Sequence, residues 1–322
     1  MSNILFFSPP FFNYPSIIQE GLCKIFNKVT YFNTVPATLT YKITWYAEYY
    51  FHTAYFKNKC INQLFRSVKK KIENDNIDYD TIFVIKGSCI PEDFYSFLKT
   101  QYPNAKFVQY LWDDICNDPE ATKTFRYFNA IYSYNEWDCK KFGLTFRPFF
   151  YSEYYLSDFQ ERKYDLSCIM SFSEDRIELL NKFFNNIKKP LSNYILIKGS
   201  LLLKLLYISK IGCLKQYVTS KGIDYATMMD VLKKSKCQID IQHPCQKGLT
   251  TRAFEALATN TKLITTNANI KEYDFYNPQN IAIISREDPI VDIEWINLPY
   301  KPVPMDILNK YSLSRFLSDM LK

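Results

Sequence analysis

Short, nearly continuous apolar runs, each followed by a stretch of helical periodicity, constrain the fold of this chain more than any other feature. Ile4 to Phe7, Val29 to Phe32, Thr81 to Ile85, Lys106 to Leu111 and Ala130 to Tyr134 are such runs. A strand with one face in water alternates polar and apolar residues; a strand covered on both faces does not. The runs therefore predict a parallel sheet flanked by helices and built from βαβ units. Helices are expected after the first run, with Ile18, Leu22 and Ile25 on one face, over about Tyr41 to Ile72, and from Glu92 to Thr100. Pro91 opens the last of these at a position where its missing N–H costs nothing.

The loop Arg147-Pro148-Phe149-Phe150-Tyr151 interrupts the series, which then restarts. Strands are predicted at Tyr164 to Met170, Tyr194 to Ile197, Gln238 to Gln242, Lys262 to Thr265 and Asn280 to Ile284. Helices are predicted at Glu174 to Asn185, Tyr225 to Lys234, Thr251 to Ala258 and Leu313 to Leu321. A chain of 322 residues accommodates two such domains. The expected organisation is α/β: two Rossmann-like domains with parallel sheets facing a central cleft. They span 1–155 and 156–305, and 306–322 forms a C-terminal helix packing back on the first domain. Ligands of such sheets sit beyond the carboxyl ends of strands, near switch points.

Several function classes are excluded by what is missing. The seven glycines, Gly21, Gly87, Gly143, Gly199, Gly212, Gly222 and Gly248, form neither GxGxxG nor GxxxxGK[ST]. A dinucleotide fingerprint and a P-loop are therefore absent. His52 and His243 are the two histidines, and HExxH and GxSxG do not occur. The nine cysteines are scattered singly, without CxxC, which fits free thiols in a reducing compartment rather than a zinc site or disulfide framework. The net charge of +7 suits phosphorylated ligands or an anionic membrane. Its densest cluster, Arg66, Lys69, Lys70 and Lys71, fits one solvated helix face, and nucleic acid is not expected as a partner. The N-terminus lacks the pattern of a signal peptide. Leu201 to Leu214 is the most apolar stretch, but Lys204 and Lys210 interrupt it and it is too short to span a bilayer.

The segment Gln238 to Asn267 carries the most chemistry. It reads strand, loop, helix, strand. Gly248 lets the backbone approach a ligand closely. The helix opening at Thr250 or Thr251 presents free N–H groups and a positive dipole end to a diphosphate. Lys247 and Arg252 add cationic donors. Glu255 lies about one turn in, where a carboxylate can accept hydrogen bonds from ribose hydroxyls. The bland alternative is an amphipathic helix with Phe254 and Leu257 in the core.

Gly248-Leu249, Phe254-Glu255-Ala256-Leu257-Ala258 and Lys262-Leu263-Ile264-Thr265 resemble the donor-binding segment of group-1-type GT-B glycosyltransferases. Arg252-Ala253-Phe254-Glu255 is most similar to the bacterial surface-polysaccharide branch that makes O-antigen and capsule. The resemblance implies that Glu255 contacts the donor ribose. The first Glu of the family pattern falls at Lys247, a departure that leaves retaining or inverting chemistry open. Tyr164 to Ser173 resembles the first donor-domain strand and its phosphate loop, with Ser171 in place of the usual glycine. Arg176 on the next helix reaches either phosphate or a surface acid. His243, ending its strand, either contacts donor sugar or phosphate or is structural.

In the first domain, Phe107 to Asp114 sets two acids just past a strand, like the "Y.WD" stretch of similar enzymes. Asp113 or Asp114 can take the acceptor hydroxyl's proton, with Glu136 as the next candidate, and Trp112 can stack on an acceptor sugar. The alternative is a helix-capping Asp beside a half-buried Trp. Asp78-Tyr79-Asp80 spells DxD but precedes its strand and reads as a turn. No metal and no cofactor are expected, because a helix N-terminus and cations can neutralise the leaving diphosphate. The expected function is transfer of a sugar from a nucleotide-sugar donor to a glycan or lipid-linked acceptor. It would take place in the cytoplasm, with peripheral contact at the inner membrane surface through the aromatic stretch Tyr41 to Phe51. A GT-B-fold sugar-nucleotide epimerase and a non-catalytic nucleotide- or glycan-binding assembly protein are the alternatives.

Overall fold

The computed structural model describes residues 2–41, 43–44, 55–156, 161–200, 204–205, 207 and 211–322. The chain divides into two compact units, residues 1–147 with 317–322, and residues 148–316. Each is built on a six-stranded sheet in which every strand pair is parallel. The expected α/β class is what the chain adopts.

The first sheet comprises β1 (Asn3–Ser8), β2 (Lys28–Asn33), β3 (Thr81–Ile85), β4 (Lys106–Leu111), β5 (Ala130–Ser133) and β6 (Thr145–Phe146), in the order β2-β1-β3-β4-β5-β6. Leu5, Phe7, Ile82, Val84 and Phe107 join one core with Ile61, Phe65, Val68 and Ile72 of α2 (Tyr55–Asp75) and Phe94, Tyr95 and Leu98 of α3 (Glu92–Gln101). Phe6, on the other face of β1, stacks on Phe83 and meets Tyr31. Both faces of the central strands are thus covered, which is why the runs do not alternate. Glu92 and Asp93 sit in the first turn of α3 and Lys99 in its last, matching the helix dipole at both ends.

One expectation changes here, one falls partly outside the described residues, and one helix is new. The helix α1 (Tyr14–Leu22) stops at Leu22, leaving Ile25 beyond it. The start of the Tyr41 to Ile72 helix, with Trp45 and most of the aromatic stretch, lies outside the described residues. The sequence also hides α4 (Glu136–Phe142), two turns long, fixed by Asn135 accepting from Trp137 N at 2.9 Å and ended by Gly143 at φ 68°.

The second sheet comprises β7 (Tyr164–Ser171), β8 (Asn193–Lys198), β9 (Val218–Thr219), β10 (Ser235–Asp240), β11 (Lys262–Thr265) and β12 (Ile281–Ile283), in the order β12-β11-β10-β7-β8-β9. Leu166, Cys168, Cys237, Ile239 and Ile264 pack with Ile177, Leu180 and Phe183 of α5 (Glu174–Asn186). Two further helices, α6 (Tyr225–Lys233) and α7 (Thr251–Ala258), flank β10 in sequence. Asp224 caps α6 by accepting from Thr227 N at 2.7 Å. The strand expected at Gln238 to Gln242 is shifted: it pairs from Ser235 and ends at Asp240, so Ile241 and Gln242 belong to the following loop. The chain closes with α8 (Ile293–Asn297), α9 (Met305–Asn309) and α10 (Leu313–Leu321). Among the described residues no helix is long and apolar enough to cross a membrane.

Candidate functional site

Strand order locates the switch points. In the second unit the chain runs from β7 outward through β8 and β9, then returns to the other side of β7 with β10. The crevice therefore opens at the carboxyl ends of β7 and β10, where a parallel sheet takes its ligand. Ser171 ends β7 there, exposed, and Arg176 lies in the first turn of α5. Arg176 is half-buried, and its buried Nε meets no hydrogen-bond partner among the described residues.

After β10 the loop 241–250 carries His243, Lys247 and Gly248 to the start of α7. It is held on several sides. Thr250 Oγ1 donates to Asp240 Oδ2 at 2.8 Å, closing the loop on its own strand. Asn267, just past β11, donates through Nδ2 to the carbonyls of Lys247 and Gly248, each at 3.2 Å, and Asn269 Nδ2 reaches Lys247 O at 3.0 Å. Arg286 Nη1 holds Gln242 O at 3.0 Å, and its guanidinium pairs with Asp175 of α5.

This bracing fixes which backbone groups of the loop already have partners. The carbonyls of Lys247 and Gly248 are taken. Thr250 stands at the N-cap of α7, yet its side chain makes no capping bond, because the hydroxyl is spent on Asp240. Among the described residues nothing accepts from the N–H groups of Gly248, Leu249, Thr250 or Thr251. Unpaired amide donors at a helix N-terminus are the groups with which a backbone can hold an anion.

The charged residues beneath it are arranged differently from the sequence expectation. Glu255 is 0% exposed, and its carboxylate pairs with Arg252 three residues earlier. Asp240 is also buried. Burial pushes its carboxyl above the usual range; the Thr250 hydroxyl, Arg176 and Arg252 pull downward, and Glu255 adds to the rise. His243 is exposed, its Nδ1 accepting from Cys245 N at 3.3 Å, and Lys247 is exposed. Asp240, Asn267, Asp175 and Arg286 escape sequence reading. The signal that finds three of them is position: Asp240 is the last residue of its strand, and Asn267 and Arg286 stand within three residues of a strand's end.

The first unit has its own switch point, between β1 and β3. Lys86, just past β3, adopts φ 70°, and Gly87 follows at φ 84°. Lys86 Nζ donates to Asp113 Oδ2 at 2.6 Å. Burial works to lower the Lys86 ammonium, but Asp113 outweighs it and holds the group above its ordinary value. Asp113 is thereby fixed, half-exposed, at the end of β4. Its neighbour Asp114 is 1% exposed and bonded to Tyr134. Trp112 packs its ring against Phe11 at 4.4 Å and Tyr14 at 5.1 Å. Glu136 is on the surface in the first turn of α4, 2.9 Å from Lys140. Asp80 takes the N–H of Asn3 at 2.7 Å and so ties the start of β1 to the turn before β3.

No family model matches the chain, and no curated protein does. Solved structures do. Os79 from O. sativa in complex with UDP aligns with a TM-score of 0.52 at 8% identity, over 99% of this chain and 95% of that one. The S. aureus MnaA–UDP co-structure aligns at 0.50 and 8% identity, over 99% and 94%. A UDP-N-acetylglucosamine 2-epimerase aligns at 0.50 and 10% identity, over 98% and 93%. The likeness is one of fold. Two Rossmann-like units with parallel sheets and flanking helices define the GT-B class of architecture, and this chain has it.

Proposed function

We propose that the chain is a nucleotide-sugar-dependent glycosyltransferase whose donor binds in the second unit at the loop 241–250. The run of open amides from Gly248 to Thr251 carries this reading, because it offers a diphosphate several donors without a side-chain charge. Fold neighbours with UDP bound support it. Arg252 and Glu255 enter through exchange. An incoming diphosphate competes for the Arg252 guanidinium and releases the Glu255 carboxylate to the ribose hydroxyls. Ser171, Arg176, His243 and Lys247 border the same strand ends and complete the donor side.

On the acceptor side, Asp113 is the preferred base, since it is accessible and oriented by Lys86, with Asp114 and Glu136 behind it. Trp112 offers a sugar-stacking face. The acceptor is a glycan or lipid-linked glycan of a surface polysaccharide, reached in the cytoplasm at the inner face of the membrane, and no metal or cofactor takes part. The epimerase-like neighbour favours a second reading, in which the bound sugar nucleotide is epimerised rather than cleaved.

A thermal-shift screen of nucleoside diphosphates, followed by product analysis with UDP-sugars and glycan acceptors, tests both. A raised midpoint, free UDP and an extended acceptor are expected, and Glu255→Ala should weaken UDP by about tenfold or more, the scale of one charge-assisted contact. An epimerised UDP-sugar with no free UDP would establish the second reading. No response to any nucleotide would end both.

A further inference from the structure

The opposite, amino-terminal edge of the second sheet holds a cavity of about 420 Å3 that the donor reading does not use. It lies where β10 and β11 begin. One strand of six residues, about 15–20 Å, separates it from the loop 241–250.

Among the described residues three cations line this cavity, Arg162, Lys236 and Lys262, and no acidic residue does. Lys236 is matched, with Nζ 2.8 Å from Asp165 Oδ1 and 2.8 Å from Asn297 Oδ1. The other two are not. Arg162 directs Nη1 and Nη2 at the carbonyls of Leu232, Lys233, Ser235, Thr259 and Asn260 and at Thr261 Oγ1, all neutral. Lys262 is 2% exposed; its Nζ donates to Trp295 O and lies 4.4 Å from the centre of the Trp295 ring. Among the described residues no carboxylate acts on either cation, and burial lowers both. Carbonyls and a ring face share a cation's charge without cancelling it. Lys262, with one carbonyl and one ring face, is the cation for which burial is costly until a counter-charge arrives. The rest of the wall is formed by Ile296, Leu298, Pro299 and Pro302, which are apolar, with Tyr300 and the polar Asn260 and Asn297.

We propose that this cavity binds a small amphipathic anion, a carboxylate or phosphate monoester head on a short apolar body. The head sits at Lys262 and the body lies along Leu298, Pro299 and Pro302. The site is separate from the donor loop, so it stands whether or not the nucleotide reading does.

Isothermal titration with octanoate, octyl phosphate and inorganic phosphate tests it on the full chain. At least one alkyl anion should bind saturably and more tightly than inorganic phosphate, and the tighter of the two identifies the head group. Lys262→Met should weaken it about tenfold, as loss of one charge-assisted contact does. Leu298→Asp, at a half-exposed position where the fold tolerates a polar side chain, should weaken it similarly by placing an anion on the rim. The thermal response to UDP should persist in both variants. Saturable heat from neither alkyl anion, inorganic phosphate binding as tightly as both of them, or wild-type affinity in both variants would overturn the proposal.

Discussion

Asp240 shows how one buried side chain can set both the shape and the pH response of the candidate donor loop. Its carboxyl lies above the ordinary value, chiefly through burial. The unfolded chain titrates near 3.9, so the fold favours the protonated form. That contribution is complete below the unfolded value and is lost as pH rises through the folded one. Asp240→Asn keeps an oxygen for the Thr250 hydroxyl and carries no charge. Its stability relative to wild type, measured by urea unfolding across a pH series, should therefore improve as pH rises from about 4 and then level off. A difference independent of pH would contradict this. Glu255 and Arg252 were legible as residues, because their spacing from Gly248 is visible in the sequence. Their pairing was not, since contact at i and i+3 depends on rotamers that only the packed helix selects. Lys86 was missed for a related reason: nothing in a single lysine announces a left-handed backbone.

Strands and long helices were readable because burial on both faces writes a continuous run into the sequence. Thr81–Ile85, Lys106–Leu111 and Lys262–Thr265 are bounded where the apolar pattern places them. The two-residue strands β6 and β9 and the single-turn helices α8 and α9 were not readable, being too short for any period to register. Cohesion between elements was also hidden. Arg162 stands before β7, yet its guanidinium gathers carbonyls from the ends of α6 and α7 and the start of β10. It satisfies orphan carbonyls and complements two helix dipoles at once. Arg162→Met should cost about 2–4 kcal/mol in urea unfolding, the scale of several charge-assisted bonds left unmade. Lysine should recover only part, because it lacks the planar fork. A loss of only a few tenths would show those carbonyls to be solvated instead.

The molecule repeats one architecture, and each sheet has a switch point that could take a ligand. They differ in what lies beyond the strand ends. In the second unit the braced loop leaves its amides open; in the first, the corresponding turn is occupied by its own ion pair, Lys86 with Asp113. Hydrogen exchange with saturating UDP should therefore slow at 248–251 by about tenfold or more and leave β1, β3 and β4 unchanged. Protection centred on Lys86 to Ile90 instead would move the nucleotide to the first unit.

The first unit also has an uneven history during synthesis. Its sheet is complete by Phe146, but residues 317–322 belong to it as well. Arg147 Nε is 3.2 Å from Asp319 Oδ2, Tyr132 OH reaches Asp319 O at 3.4 Å, and Lys106 Nζ reaches Met320 O at 3.4 Å. On the ribosome, at roughly 5–20 residues per second, the polypeptide between Arg147 and Leu317 takes on the order of ten to thirty seconds to emerge. For that interval the nascent sheet must hold its shape with those groups facing water, and its closure waits until the second unit has been synthesised.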